Sequence, residues 1–276
     1  MLPLTPANNY TPTILFCGGS DMAADDYGSY ANPAVNTWEV PASRDCQRIT
    51  PEPADNSPVA YMQDDNMLEG RTMGQFIILP DQTLLMINGG GNGTAGYATK
   101  TGQTPAGQMP FTMSLASNPV LTPAIYNPNK PAGQRWSNNG LMQSKIPRLY
   151  HSSALLLPDA SVLVAGSNPN VDYNPTAVFA TEYRAERFYP PYFSASVRPQ
   201  PTGIPSNLSY GGNPFDITIS ATSYSGSAND AASNATVVIV RPGWAEPFFF
   251  SKSHNTDVLT QMDHSWYEHG PTAHAA

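Results

Sequence analysis

The sequence predicts an all-β protein, and three observations lead to this prediction. The 276 residues include 28 prolines and 21 glycines, and only 12% are charged, whereas about a quarter is usual in globular proteins. No stretch shows the apolar period of an amphipathic helix. A pattern of two apolar runs, joined by a turn and stopped by glycine, occurs at residues 148–168 and again at 71–90. Such a pattern is typical of a β-hairpin with two buried strands.

The downstream copy of this pattern carries the most distinctive side chains. It starts at Arg148, continues through Tyr150 and His151 into the first apolar run, and stops at Gly166. The upstream copy starts at Arg71 and has the same order, with one residue fewer between its arginine and its turn proline. Two copies of one unit indicate a repeat architecture rather than two unrelated hairpins.

An aromatic segment follows each copy, at residues 124–136 and at 185–191, and a third copy can be traced near residue 18. There the glycine pair Gly18 and Gly19 is followed by Trp38, which we expect in a short strand. This order is typical of the blades of a kelch-type β-propeller, because each small sheet buries its faces only against neighbouring sheets.

About three blades are therefore expected, over residues 1–197. The spacing of the copies exceeds the usual kelch unit, so residues 90–120 are predicted to form a long loop. Propellers close with at least about four blades, and the propeller is accordingly expected to be partial and truncated, as in a fragment of a longer protein.

The character of the sequence changes after residue 197. Apolar residues alternate around residues 215–219, and a continuous β-branched run lies at 235–240. Such strands, separated by Ser, Asn and Gly turns, favour the start of an immunoglobulin-like β-sandwich at residues 198–244. Residues 245–276 form a divergent tail with four of the five histidines, interpreted as low-complexity sequence rather than a metal site.

Charge and composition exclude several classes of partner. The net charge of −8 provides no basic surface for nucleic acid, and no apolar run is long enough to span a membrane. The N-terminus has no export signal, yet the four sequons at Asn9, Asn92, Asn207 and Asn234 are typical of secreted glycoproteins.

The two cysteines, Cys17 and Cys46, are compatible with one disulfide or with two separate buried thiols.

Tyr150 and His151 are the candidate metal ligands, because a phenolate oxygen and an imidazole nitrogen suit copper or iron. Adjacent residues of a regular strand point to opposite faces, so both can reach one metal only if they precede the strand. The alternative is structural: Tyr150 packs in the core and His151 bonds to a backbone carbonyl. We find no Ser-His-Asp set, no phosphate-binding loop and no catalytic carboxylate pair.

The segment 146–159, which contains this pair, resembles the copper-ligand blade of fungal glyoxal oxidases, relatives of galactose oxidase among the copper-radical oxidases. Further matching segments cover much of residues 1–243, and they are residues 15–20, 70–74, 88–97, 166–170, 181–192 and 238–243. The resemblance implies a secreted, seven-bladed propeller followed by an immunoglobulin-like domain. It implies one copper ion held by an axial tyrosine, two histidines and a second tyrosine that is crosslinked to a cysteine.

The crosslinked tyrosine of the family is the radical that takes hydrogen from an aldehyde or primary alcohol, while O₂ is reduced to H₂O₂. On this resemblance Tyr150 is the axial ligand and general base, and His151 is an equatorial ligand. The implied partners are a small aldehyde or alcohol substrate and O₂, and the implied protein is an extracellular monomer.

The sequence also departs from the glyoxal oxidase pattern at residues that the copper site of the family needs. The crosslinked Cys and Tyr lie upstream of anything present here, and Cys17 resembles a different, disulfide-forming cysteine of the family. The second histidine should follow residues 241–243 in a Thr-His pair, but the sequence continues with Trp244, and the resemblance stops at Ala245. We therefore expect an incomplete copper site and no oxidase turnover by this fragment. The alternative function is a non-catalytic propeller that binds carbohydrate or protein.

Overall fold

The computed structural model describes residues 1–22, 27–29, 32–209 and 211–240, and the backbone of a strand at 255–256. Within these residues the chain is mostly β, with one short α-helix, α1 (Ala228–Asn234), and 3₁₀ turns at Pro6–Asn8, Thr37–Glu39, Pro191–Ser194 and Ala221–Ser223. The strands are β1 (Ile14–Cys17), β2 (Gly28–Ser29), β3 (Asn32–Pro33), β4 (Cys46–Ile49), β5 (Met62–Gln63), β6 (Gln75–Ile78), β7 (Leu84–Ile87), β8 (Gly90–Tyr97), β9 (Ser114–Pro119), β10 (Ala124–Tyr126), β11 (Trp136–Ser137), β12 (Ser152–Leu156), β13 (Val162–Gly166), β14 (Glu186–Phe188), β15 (Pro201–Thr202), β16 (Thr218–Ile219), β17 (Ile239–Val240) and β18 (Asn255–Thr256).

Three antiparallel sheets of three or four strands organise the first two thirds of the chain. Their orders are β1-β4-β5, β6-β7-β10-β11 and β12-β13-β14, each with strands in chain order. The two hairpins predicted from the repeat are β6–β7 and β12–β13, and both are confirmed. The middle sheet also contains the predicted aromatic strand that follows its hairpin.

The two hairpins close with the same turn. In the first, Asp81 Oδ1 accepts hydrogen bonds from the backbone N–H of Thr83 at 3.1 Å and from its hydroxyl at 2.7 Å, and Gln82 takes a positive φ of 64°. The residues with the same roles in the second hairpin are Asp159, Ser161 and Ala160, with distances of 3.1 and 2.6 Å and a φ of 69°. The repeat therefore extends to side-chain hydrogen bonds.

The middle sheet is buried on both faces, which explains its uninterrupted apolar runs. One face packs towards the first sheet and the other towards the third, because successive strand residues alternate between faces. The first core contains Leu15, Cys46, Met67, Ile78, Leu84, Met86, Tyr126 and Trp136. The second contains Ile77, Leu79, Leu85, Ile87, Ala154, Leu156, Val162 and Val164. Sheets stacked face to face suit a propeller, but the number of blades and their closure stay predictions.

Cys17 and Cys46 form a disulfide, which was one of the two alternatives compatible with the sequence, and it joins β1 to β4. The chain has only these two cysteines, so neither thiol is available for a thioether bond to tyrosine. No helix in the described ranges has the length and apolar character needed to cross a bilayer.

Two local predictions are wrong. Residues 90–120 are not one long loop, because β8 pairs antiparallel with β9, and only residues 98–113 between them lack a strand. Glycine is required there for a close approach: a Cβ on Gly93 would lie 2.2 Å from the carbonyl oxygen of Leu115. Trp38 lies in a 3₁₀ turn instead of a strand, where its side chain is buried and the neighbouring Thr37 hydroxyl bonds to Leu115 O at 2.7 Å.

Beyond residue 197 the described chain has only short pairings, β15 with β16 and β17 with β18, together with α1. Of the alternating segment at 215–219, only Thr218–Ile219 is a strand. The immunoglobulin-like sandwich therefore stays a prediction. The histidine-rich tail at 245–276 lies outside the described residues, apart from the backbone of β18.

Candidate metal centre

Tyr150 and His151 lie in a tight turn immediately before β12. The carbonyl of Leu149 accepts a hydrogen bond from the N–H of Ser152 at 3.1 Å, and His151 has a φ of 61°. A positive φ at the third residue alone is the signature of a type II turn. The two rings lie 3.8 Å apart, centroid to centroid, with 36° between their planes. The condition that both residues precede the strand is therefore met.

The two side chains differ in exposure. Tyr150 is buried, with 7% of its surface exposed, whereas His151 is exposed. The ring of Tyr97, at the end of β8, lies 6.4 Å from the ring of Tyr150. Among the described residues no hydrogen bond joins the His151 ring to a backbone carbonyl, so the structural alternative describes Tyr150 better than it describes His151.

A loop that follows β13 braces this turn. Ser167 Oγ accepts a hydrogen bond from the backbone N–H of Leu149 at 2.9 Å, and Asn168 N–H donates to the Tyr150 carbonyl at 2.7 Å. Gly166 completes the contact, because a Cβ on this residue would lie 2.8 Å from the His151 carbonyl oxygen. Three consecutive residues thus fix the backbone that carries both candidate ligands.

Arg148, which lies two residues before Tyr150, also stabilises the backbone around the turn. Its buried guanidinium donates to the carbonyls of Gly166 at 2.7 Å and Arg184 at 2.9 Å, and it forms an ion pair with Glu186 at 3.0 Å. Arg71 is its counterpart in the first repeat, where it donates to the Asn88 carbonyl at 2.7 Å. Burial lowers the pKa of Arg71 to about 10, so this guanidinium is charged at neutral pH.

Two buried polar atoms near the turn have no hydrogen-bond partner within the described part of the chain. They are the hydroxyl of Ser152, which follows His151 directly, and the side-chain oxygen of Asn170. The amide nitrogen of Asn170 donates to the Phe179 carbonyl at 2.9 Å, which fixes the orientation of the amide. An unpaired buried acceptor costs about 1–3 kcal/mol.

The donor set fits part of a copper site. A phenol oxygen and an imidazole nitrogen are ligands that copper accepts, and they are held on one turn with one of them exposed. In residues 1–240, as far as the structure describes them, no three His, Cys, Asp or Glu side chains lie together as a metal-binding group. Tyr150 and His151 are therefore two candidate ligands, and the described residues beside them offer no third ligand of these types.

Comparison with known proteins now identifies the family. A family model described as the N-terminus of glyoxal oxidase matches residues 1–192. The chain belongs to the glyoxal oxidase family. Art an 7 of Artemisia annua is 38% identical to it over 212 residues, which are 75% of this chain and 32% of that protein. Aldehyde oxidase GLOX1 of Arabidopsis thaliana is 34% identical over 236 residues, which are 84% of this chain and 33% of GLOX1.

The chain thus spans about a third of the length of these curated relatives. A solved structure, a fungal alcohol oxidase of the AA5 family in complex with copper, matches 95% of this chain and 44% of its own chain. The TM-score is 0.58 at 16% sequence identity. At this identity the likeness concerns the fold alone.

The sequence of this glyoxal oxidase family member predicts Tyr150 and His151 as candidate ligands, but it does not predict the residues that surround them. Tyr97 could not be placed beside Tyr150 from the sequence, because the glycine-rich segment that forms β8 is predicted to be a loop. Ser167 and Asn168 each contact a residue 18 positions earlier in the chain, and only the fold reveals these contacts. The family match at residues 166–170 was the one signal that could have pointed to them.

Proposed function

We propose that this chain contributes Tyr150 and His151 to the copper centre of an oxidase that converts aldehydes, or primary alcohols, with reduction of O₂ to H₂O₂. The observation that carries the proposal is the single turn that places a phenol and an exposed imidazole side by side. The names of the relatives support the substrate class, since GLOX1 is called an aldehyde oxidase and the matched structure is a copper-bound alcohol oxidase.

Each side chain has a distinct role in this proposal. His151 would hold the copper ion through an imidazole nitrogen. Tyr150 would hold the copper ion through its phenolate oxygen, and this phenolate would act as the general base that accepts the proton of the substrate hydroxyl, or of the hydrated aldehyde. Copper, when bound, supplies a one-electron acceptor and lowers the proton affinity of the phenol. The braces from Ser167 and Asn168 hold both groups in place for this task.

Other ligands have to complete the site. We propose that a second histidine and a tyrosine crosslinked to cysteine are supplied by parts of the protein beyond the matched residues, in a seven-bladed propeller with an immunoglobulin-like domain. Two ligands alone bind copper weakly, so the 276-residue chain is expected to have no turnover. We further propose that the protein is extracellular, glycosylated and monomeric.

The test is H₂O₂ release from methylglyoxal by copper-loaded protein. It is measured on the 276-residue chain and on a chimera in which residues 1–192 replace the matching part of GLOX1. We expect turnover by the chimera and none by the chain alone. Tyr150→Phe in the chimera should lower kcat at least about 100-fold, as expected for loss of a general base, whereas Tyr183→Phe, at an exposed tyrosine, should leave it unchanged.

Copper uptake, followed by electron paramagnetic resonance, separates the two roles. His151→Ala should weaken copper binding by the chimera, and Tyr150→Phe should change the spectrum of the bound ion. Turnover by the 276-residue chain would contradict the incomplete site. Unchanged spectra and unchanged kcat in both variants would contradict the assignment of the ligands.

A further inference from the structure

A pair of exposed tyrosines lies in the segment between β13 and β14 and has no part in the proposed copper chemistry. Tyr173 is 62% exposed and Tyr183 is 76% exposed. Their ring centroids are 5.8 Å apart and their planes are inclined by 39°. Paired aromatic rings on a surface are unfavourable in water and often mark a binding site. The two rings together are called the tyrosine platform.

The platform stands on a loop that is held rigidly although it contains no strand. The N–H of Thr181 donates to the Asn174 carbonyl at 2.9 Å, and the N–H of Asn174 donates back to the Thr181 hydroxyl at 2.9 Å. Phe179, which lies between Asn174 and Thr181 in the sequence, stacks on Phe111 with ring centroids 5.4 Å apart. A preorganised surface loses little entropy when a ligand binds.

Both ends of the loop are bonded near the candidate copper ligands. Asn168 N–H donates to the Tyr150 carbonyl at 2.7 Å, and Glu182 N–H donates to the Ser167 carbonyl at 2.9 Å. The platform is therefore built on the same braced backbone as the Tyr150–His151 turn. A ligand held there would be kept beside that turn.

The size and charge of the platform indicate the chemistry of its ligand. Two rings are far smaller than the roughly 800 Å² per partner that a stable protein interface buries. Glu182 is paired with Arg184, but the exposed Asp172 lies next to Tyr173 and the chain carries a net charge of −8, which disfavours anionic ligands. A sugar ring is neutral and presents a flat face of C–H groups, which suits the negative face of an aromatic ring.

We propose that the tyrosine platform binds a neutral, extended oligosaccharide, with one sugar residue stacked on each ring. Binding at the platform depends on neither copper nor Tyr150. It would give this family member a means of attaching to a polysaccharide surface, whatever the small substrate is.

The test uses the 276-residue chain and cellohexaose as the probe, with binding measured by isothermal titration calorimetry. Tyr173→Ala and Tyr183→Ala should each weaken binding about 10-fold, the effect of losing one stacked ring, and Tyr173→Phe should bind like wild type. Tyr61→Ala is the matched control, because Tyr61 is also an exposed tyrosine, 67% exposed, with an aromatic neighbour in Phe16. Polygalacturonate, an anionic polysaccharide, should bind more weakly than cellohexaose.

Three outcomes would overturn the proposal. The first is that the wild-type chain, shown to be folded by its unfolding transition, binds neither cellohexaose nor xylohexaose nor mannohexaose. The second is that both alanine variants bind the saccharide as tightly as the wild-type chain does. The third is that the tyrosines instead govern self-association in gel filtration. Tyr150→Phe should leave saccharide binding unchanged, so failure of the copper proposal and failure of the platform are distinguishable.

Discussion

The rings of Tyr150 and His151 lie 3.8 Å apart although the residues are neighbours in the chain. Neighbours in a strand would point to opposite faces, and the turn before β12 removes that separation. The arrangement has a conformational cost, because His151 adopts a φ of 61°, which costs a residue with a Cβ about 1–2 kcal/mol. Residues held in such conformations are concentrated at functional sites.

The first prediction concerns this cost. His151→Gly should raise the free energy of unfolding by about 0.5–1 kcal/mol, because relief of the positive φ exceeds the entropy that glycine loses on folding. Urea unfolding, with an unchanged slope, measures the effect. Ala160→Gly is the control, since Ala160 has a φ of 69° in the β12–β13 turn and should be stabilised similarly. A clear loss of stability in His151→Gly alone would mean that the imidazole serves the fold.

The second prediction concerns the disulfide between β1 and β4. It closes a loop with a sequence separation of 29 residues, so its loss should lower the free energy of unfolding by about 3–4 kcal/mol. The Cys17→Ala/Cys46→Ala variant and the reduced wild-type protein should lose similar amounts, because the crosslink matters more than sulfur packing. Reduced protein that unfolds within about 1 kcal/mol of the oxidised form would contradict this.

The third prediction concerns the end of the tyrosine-platform loop. Hydrogen bonds from Arg184 lower the pKa of Glu182 to about 2, below the roughly 4.3 expected in an unfolded chain. A lowered carboxyl pKa stabilises the folded state above pH 4.3 and loses this effect as the pH falls towards 2. Because Arg184 is mostly exposed, the contribution should be only about 1 kcal/mol.

Glu182→Gln removes this titration and isolates it from the other carboxyls. Between pH 5 and pH 2 the wild-type protein should lose about 1 kcal/mol more free energy of unfolding than the variant. Equal losses in the two proteins would show that the Glu182–Arg184 pair contributes nothing to stability.

The parts of the fold and of the candidate site that depend on local sequence patterns could be predicted, whereas those that depend on contacts between distant residues could not. The hairpins could be predicted because the middle sheet is buried on both faces, which leaves uninterrupted apolar runs around the Asp81 and Asp159 turns. The place of Tyr150 before β12 follows from the same pattern. By contrast, β8 was missed because Gly93 serves a close backbone approach, whereas glycine in a sequence normally indicates a turn. The hydrogen bond from Leu149 N–H to Ser167 Oγ depends on the path of the chain after β13. No local sequence pattern encodes that path.

The fourth prediction concerns glycans and rests on the proposed passage through the secretory pathway. Asn9, Asn207 and Asn234 are exposed, whereas Asn92 is half-buried in β8, paired with Ser117 on one side and bridged to Pro41 on the other. A glycan on Asn92 would have to fit between these paired segments. We expect the folded, secreted protein to carry glycans at the three exposed sequons and none at Asn92.

Peptide mass spectrometry of protein secreted from a eukaryotic host measures the occupancy of each site. Asn92→Gln should leave the electrophoretic mobility unchanged, while Asn9→Gln, Asn207→Gln and Asn234→Gln should each remove one glycan. A glycan on Asn92 in folded protein would contradict the β8–β9 pairing. Absence of glycans at all four sites in the secreted protein would instead contradict the proposed glycosylation, because three of the sequons are exposed in the fold.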